Sequence, residues 1–287
     1  MESPRAYYDL KETPTWYVDK IPAFCINLER RIDRWQQFSS QPGMQSLPNV
    51  KRFIGTDGSK LDILNDDRIP LGTKKNIMTR KRRAHEELST AGGIGCALSH
   101  IAVWEWIVNN QAPITLIFED DARVPINFAP YMNQVIENSP TLKDTSKWEL
   151  LTLTDHRSPV QPIPGDPLVE KLDAFVGFQC YFITLDCAKR FLKESHSLHL
   201  HIDLWTGVFK QVHGLKMICT KNYFVGQRRS KTDIQDPNYC RICDLDSNFY
   251  TTHQMIRKEE IWLMRSVEIA LGVVFLYAGY KFITRSK

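Results

Sequence analysis

Residues 114–124 read ITLIFEDDARV. Ile114 to Phe118 is an apolar run rich in β-branched and aromatic residues, the composition of a buried strand. It ends abruptly on three adjacent carboxylates, Glu119, Asp120 and Asp121. Like charges this close repel and raise one another's pKa unless something cationic neutralises them. Two readings follow. The acids splay into water as a turn, with an Asp capping what comes next. Alternatively, they hold a hard divalent cation such as Mn²⁺ or Mg²⁺. In the second case alternation at a strand end brings Glu119 and Asp121 toward one ligand cluster. Asp120 is then left for a ribose hydroxyl or a neighbouring hydrogen bond.

Outward from this stretch, strands and helices alternate. IPAFCINL (21–28) and KRFIGTDG (51–58) read as strands, the second running into a Gly turn. GGIGCALSHIAVWEWIVNN (92–110) is a Gly-led helix whose Ala97, Ile101, Trp104 and Val108 recur at helical spacing. A helix over 127–140, strands over 148–153, 176–184 and 215–220, and the helix DCAKRFLKES complete the pattern. Such alternation predicts an α/β fold, a single domain with helices flanking a mainly parallel sheet. Ligands gather at the carboxyl ends of strands in such sheets, which is where the acidic triplet lies. Residues 59–90 read as a polar, irregular loop that includes RKRR at 80–83, expected to be solvated rather than a nucleic-acid patch.

The chain has 287 residues and a net charge of +4, mildly basic and suited to an anionic small ligand such as a nucleotide diphosphate. Seven cysteines form no dense framework, and Cys240 and Cys243 are a lone CxxC without a second metal-ligating pair. The first 25 residues carry no apolar signal core, so no secretory signal is expected. Residues 269–280 read IALGVVFLYAGY, and Lys281, Arg285 and Lys287 follow. This run is shorter than the roughly 20 residues a bilayer wants. It reads either as a packed helix or as a tail anchor over 266–284, and the closing cations favour the anchor. The catalytic domain would then face the cytosol.

Chemistry narrows the field further. No phosphate loop GxxxxGK[ST] accompanies the acidic strand end, which sets aside a phosphate-loop ATPase or GTPase. GxSxG, HExxH and the kinase motif set are absent too. A metal–diphosphate site without a phosphate loop fits sugar-nucleotide chemistry, in which the metal neutralises charge on the leaving diphosphate. Asn27 follows the first strand and is placed to touch the base or ribose. Arg30 and Arg34, four apart, share a helical face and are candidates for the diphosphate or, for Arg34, a structural ion pair. Asp57 lies at the second strand's end. Ser99 and His100 sit in the first turns of the Gly-led helix, where anions are favoured.

INLERRIDR (26–34), FIGTDG (53–58), GIGCALSH (93–100), LIFEDDARV (116–124) and WELLTL (148–153) follow the order and spacing of glycosyltransferase family 25, which the chain resembles. FQCYFITLDCAKRFL, HIDLW and YFVGQ followed by SKTDIQ extend the similarity over roughly 21–236. One departure is Gly93, where the family commonly has Glu. The resemblance implies a GT-A-type nucleotide-binding domain over 21–236, after an N-terminal extension (1–20) and before a connecting segment (237–265). It implies a metal-dependent, inverting transfer of galactose or glucose from a UDP-sugar to a hydroxyl of a glycan or a hydroxylated side chain. On this resemblance Glu119 and Asp121 are metal ligands and Asp203 in HIDLW is the base that deprotonates the acceptor. His201 is a further metal or phosphate ligand. Asn27, Arg30, Asp57, Ser99, His100, Asp120 and Gln227 serve the nucleotide sugar. An inactive descendant kept as a binding or scaffold protein is the rival reading.

Overall fold

The computed structural model describes residues 16–79, 84, 86–154, 157–195, 197–222, 225–228 and 234. Strands β1 (Ala23–Leu28), β2 (Val50–Gly55), β3 (Ile114–Glu119), β5 (Leu150–Thr152), β6 (Arg157–Ile163), β7 (Asp166–Phe175), β8 (Cys180–Thr184) and β9 (Met217–Thr220) form one sheet. Their order is β2-β1-β3-β8-β5-β9-β7-β6. A two-stranded ribbon pairs β4 (Ala122–Arg123) with β10 (Gly226–Gln227). The helices are α1 (Ile32–Ser39), α2 (Leu71–Thr79), α3 (Ala91–Asn109), α4 (Phe128–Asn138), α5 (Pro140–Lys143), α6 (Leu185–Glu194) and α7 (Ile202–His213).

Alternation along β3 shows how the sheet is buried on both sides. Leu116 and Phe118 pack with Phe38 of α1 and Phe128 and Met132 of α4. Ile117 joins the opposite cluster, with Ile94 and Trp104 of α3, Phe191 of α6 and Phe209 of α7. Both faces of β3 are therefore dry, and its five residues from Ile114 to Phe118 are all buried. That is why an unbroken apolar run, rather than an alternating one, encodes it.

The sheet is mixed. β1 runs parallel to β2 and β3, and β5 parallel to β9. β8 is antiparallel to both β3 and β5, and β7 to both β9 and β6. The alternation rule expects crossover helices and therefore parallel pairs, but β6 and β7 form a hairpin that the sequence pattern did not signal. Pro159 and Pro162 interrupt the β6 run, and proline is tolerated there because β6 is the edge strand. α2 replaces part of the irregular loop expected over 59–90. It buries only Thr73, so it has no apolar stripe to betray it.

α3 organises the other half. Its N-cap Thr90 accepts the Gly93 N–H at 3.1 Å. Two glycines let the helix press directly onto the turn Gly58–Lys60 that follows β2. A Cβ on Gly95 would sit 2.6 Å from both Thr56 O and Gly58 N, and one on Gly58 only 1.8 Å from Ala91 O. These obstacles are backbone and cannot rotate away. Gly95→Ala should therefore destabilise by about 1–3 kcal/mol through overpacking, read as a lower urea midpoint at unchanged slope; an unaltered midpoint would show that α3 has room to retreat.

Among the described residues, α3 alone is long and apolar enough to cross a membrane. Its buried Ile94, Ala97, Val103, Trp104 and Ile107 pack into the core. The expected anchor over 266–284, the RKRR run and the Cys240/Cys243 pair lie outside the described residues. The described part falls within one compact unit, Met1–Pro237.

Candidate active site at the end of strand β3

Because β2, β1 and β3 are adjacent and parallel, their carboxyl ends open on one edge. A cleft of about 150 Å³ lies there, lined by Asn27, Arg30, Asp57, Ser99, His100 and the acidic triplet, among others. Eight positions singled out from separate stretches of sequence thus converge, and Arg34 lines the cleft with them.

Part of the charge question is answered from α1. Arg34 Nη2 lies 2.5 Å from Asp120 Oδ1 and 2.8 Å from Asp121 Oδ2. Asp120 is further held by the Asn27 amide, whose Nδ2 donates to Oδ2 at 2.5 Å. Arg52 fixes that amide by donating to Asn27 Oδ1 at 2.8 Å and to the carbonyls of Leu28 and Glu29 at 3.0 Å. Asp120 is therefore an anchored carboxylate at the cleft floor. From the other side the β4–β10 ribbon clamps the turn. Arg228 donates its N–H to Asp121 O at 2.7 Å and Nη2 to Asp120 O at 2.5 Å, and Gln227 Nε2 donates to Asp121 Oδ2 at 3.2 Å.

One guanidinium does not balance the cluster. Burial first, then the charges of Asp121, Asp203 and Asp120, push the Glu119 carboxyl well above its usual range, against the pull of Arg34. Burial raises Asp120 as well, opposed by Arg34 and Asn27. Asp121 Oδ1 is buried and meets no hydrogen-bond partner among the described residues. Surplus negative charge and an orphaned carboxylate oxygen are the features a divalent cation would relieve. Glu119 and Asp121 therefore fit such an ion. A second donor group overlaps them: one ligand atom each from Cys96, His100 and Glu119 lie within 4.8 Å of one another.

A model of glycosyltransferase family 25 (LPS biosynthesis protein) matches residues 20–206. The chain belongs to glycosyltransferase family 25. Human procollagen galactosyltransferase 2 is 27% identical over 196 residues, covering 62% of this chain and 30% of that protein. A glycosyltransferase 25 family member of Aedes aegypti is 29% identical over 151 residues, 50% of this chain and 24% of its own length. Procollagen galactosyltransferase 1 of Danio rerio is 26% identical over 220 residues, 74% and 35% respectively. The chain spans about a quarter to a third of the length of these curated relatives.

Within this family 25 chain the remaining expected residues hold distinct positions. Asp57 accepts from Ser59 N at 3.1 Å, Ser59 Oγ at 2.7 Å and Arg30 Nε at 2.8 Å. The Ser59 and Arg30 contacts hold its carboxyl down at about 2, so it is charged. Ser99 accepts the Thr56 N–H at 2.8 Å and donates to Gly95 O at 2.6 Å, which pins α3 to β2 from inside. His100 is fully buried, and burial lowers its pKa to about 3, so it is neutral.

Asp203 and His201 stand at the start of α7 and do not line the cleft. Asp203 Oδ2 accepts the Gly177 N–H at 2.6 Å and Oδ1 the Leu204 N–H at 2.9 Å. Its charge still reaches Glu119 and His100. His201 donates its backbone N–H to Glu86 O at 2.9 Å and lies outside the Cys96–His100–Glu119 group. Gly93 occupies the third helical position after the Thr90 cap, where a glutamate would complete a capping box. The Thr90 hydroxyl donates to Ile234 O as well as accepting from Gly93. A side chain at 93 would meet Leu88 Cδ2 at 2.7 Å.

Arg52, Arg228, Cys96 and Tyr181 were not anticipated. The pair Arg228-Arg229 directly after Gln227 was a legible hint for one of them. Cys96 lies within the quoted GIGCALSH, whereas nothing local marks Arg52 or Tyr181, whose partners Asn27, His100 and Trp104 are distant in the chain.

Proposed function

We propose that this family 25 chain is a metal-dependent, inverting hexosyltransferase with a GT-A-type nucleotide-binding domain over 21–236. The donor is a UDP-sugar, galactose or glucose, and the acceptor a hydroxyl of a glycan or a hydroxylated protein side chain. The likeness to procollagen galactosyltransferases favours galactose and a collagen-like acceptor. The orphaned, buried Asp121 Oδ1, beside a Glu119 whose carboxyl burial and the neighbouring acids push well above its usual range, carries the proposal. Glu119 and Asp121 would hold Mn²⁺ or Mg²⁺, which supplies charge neutralisation for the departing diphosphate. His201, at the start of α7, is the expected further ligand.

Asn27, Arg30, Asp57, Ser99, His100, Asp120 and Gln227 form the nucleotide-sugar side. Arg30 and the N-terminal end of α3 are the groups suited to the diphosphate. Ser99 and Asp120 act by shaping the floor. Asp203 is the acceptor base. Its two backbone hydrogen bonds use two of about four acceptor positions on a carboxylate, leaving room to take the acceptor proton.

The test is a panel of UDP-sugars with Mn²⁺, with EDTA, and with Mn²⁺ restored. Turnover of UDP-galactose or UDP-glucose that vanishes with chelator and returns with metal is the expected result. Turnover indifferent to EDTA removes the cation. Absence of turnover with every donor favours the scaffold reading, which has its own support in Arg34 already pairing both aspartates. Residues 1–20, 237–265 and 266–284 are proposed as extension, connector and membrane anchor, with the enzyme facing the cytosol. Deleting 266–287 should move the protein from the membrane to the soluble fraction; a full-length chain that is already soluble ends the anchor proposal.

A further inference from the structure

A buried hydrogen-bond chain runs from the core beneath the sheet to the first carboxylate of the triplet. Trp104 Nε1 in α3 lies 3.1 Å from the Tyr181 hydroxyl in β8, which is 2.9 Å from His100 Nδ1. His100 Nε2 is 3.2 Å from Glu119 Oε1. Trp104, Tyr181 and His100 are each 0% exposed, so bulk water cannot stand in for a missing partner. Phe178 closes the group, its ring centroid 4.3 Å from that of Tyr181 and 5.0 Å from that of His100.

The direction of the chain follows from its first member. An indole N–H only donates. The Tyr181 oxygen therefore accepts from Trp104, and the tyrosine proton is directed at His100 Nδ1. With Nδ1 accepting, the proton of the neutral imidazole sits on Nε2 and points at Glu119. The reverse direction would aim the Trp104 and His100 N–H groups at one oxygen and leave the Tyr181 proton without an acceptor in a sealed core, at the cost of an unmade buried hydrogen bond.

We propose that Trp104 and Tyr181 are positioning residues for the glycosyl-transfer site: they lock His100 in its Nε2–H tautomer, which ties down Glu119 Oε1 and leaves Oε2 as the one oxygen Glu119 presents to a cation. This rests on the cation role proposed above for Glu119. It carries two consequences. Glu119 would offer a cation a single oxygen, which suits Mn²⁺ or Mg²⁺ better than Ca²⁺, whose sites often use bidentate carboxylates. His100 is excluded as a ligand despite its place beside Cys96, because its cleft-facing nitrogen carries the proton.

Nitrogen-15 NMR of the metal-free full chain reads the tautomer directly, with Nδ1 expected in the unprotonated range and Nε2 in the protonated range. Tyr181→Phe keeps the ring and removes the hydroxyl. It should mix the His100 tautomers and weaken calorimetric Mn²⁺ binding by about 10–100-fold, the usual effect of losing an outer-shell partner; Trp104→Phe should act in the same direction. His100→Gln, which retains an N–H donor near the Nε2 position, should recover most of the affinity that His100→Leu loses. Thermal unfolding identifies any variant that fails to fold, and the Gln/Leu pair decides independently of Trp104. A wild-type His100 protonated on Nδ1 overturns the lock. A folded Tyr181→Phe with mixed tautomers and wild-type Mn²⁺ affinity, or a glutamine no better than leucine, overturns the positioning role. Wild-type protein that binds no divalent cation overturns the cation reading itself, and the tautomer spectrum alone then decides whether the lock exists.

Discussion

Asp121→Asn should reduce metal-dependent donor turnover by about 10²–10⁴-fold, because a Lewis-acid cation contributes several kcal/mol to the transition state and each decade corresponds to roughly 1.4 kcal/mol. The substitution keeps the shape of the side chain and the Gln227 and Arg228 contacts around it, but replaces the orphaned anionic Oδ1 with a neutral group. Folding should survive. Arg34 keeps its contact with Asp120, and loss of one charge relieves the repulsion that raises Glu119 and Asp120. Turnover and a thermal midpoint measured on the same preparation separate the two effects. Wild-type turnover in a folded Asp121→Asn protein would remove Asp121 from the cation site.

Arg34→Met should have the opposite signature, a large loss of stability. Arg34 is 8% exposed and contacts Asp120 and Asp121 together, so its removal leaves two largely buried carboxylates without their counter-ion. Breaking a buried pair from one side costs about 3–5 kcal/mol, in contrast to the near-neutral effect of removing both partners. For a domain of this size that corresponds to a fall of roughly 6–20 °C in Tm. The pH dependence has a definite sign. Asp120 already has a raised pKa in the folded state, so the native protein holds its proton to higher pH than the unfolded chain does. Stability from such a group declines as pH rises and recovers as pH falls toward the unfolded carboxylate value. Arg34→Met should therefore regain part of its midpoint on mild acidification, more so than wild type. A midpoint that falls with pH as steeply as the wild type would show that another cation has taken the place of Arg34.

Much of the site was legible because its pieces sit at strand ends. The apolar run of β3 marked its own terminus, and the Gly-led helix announced the close approach that Gly95 and Gly58 permit. Asn27, Arg30, Asp57, Ser99, His100 and the triplet were singled out separately and meet in one cleft. Arg34 was noted as a candidate ion pair, but which acids it would choose depended on how α1 folds back over β1. The β6–β7 hairpin and α2 were not legible, since edge prolines and a helix without an apolar stripe leave no period to detect.

What the sequence determined alone was the location of the candidate site: a dry strand forced to end in three acids, with no phosphate loop in the sequence. Short-range patterning suffices for that, because burial on both faces of β3 demands uninterrupted apolar residues up to the point where charge begins. Only the tertiary structure decided how the charge is shared. Arg34 and Asn27 take Asp120, Gln227 and Arg34 take one oxygen of Asp121, and His100 takes one oxygen of Glu119. These partners come from positions between 19 and 106 residues away from the acid they hold. Electrostatics acts through a few ångströms of space, and chain distance carries no record of it.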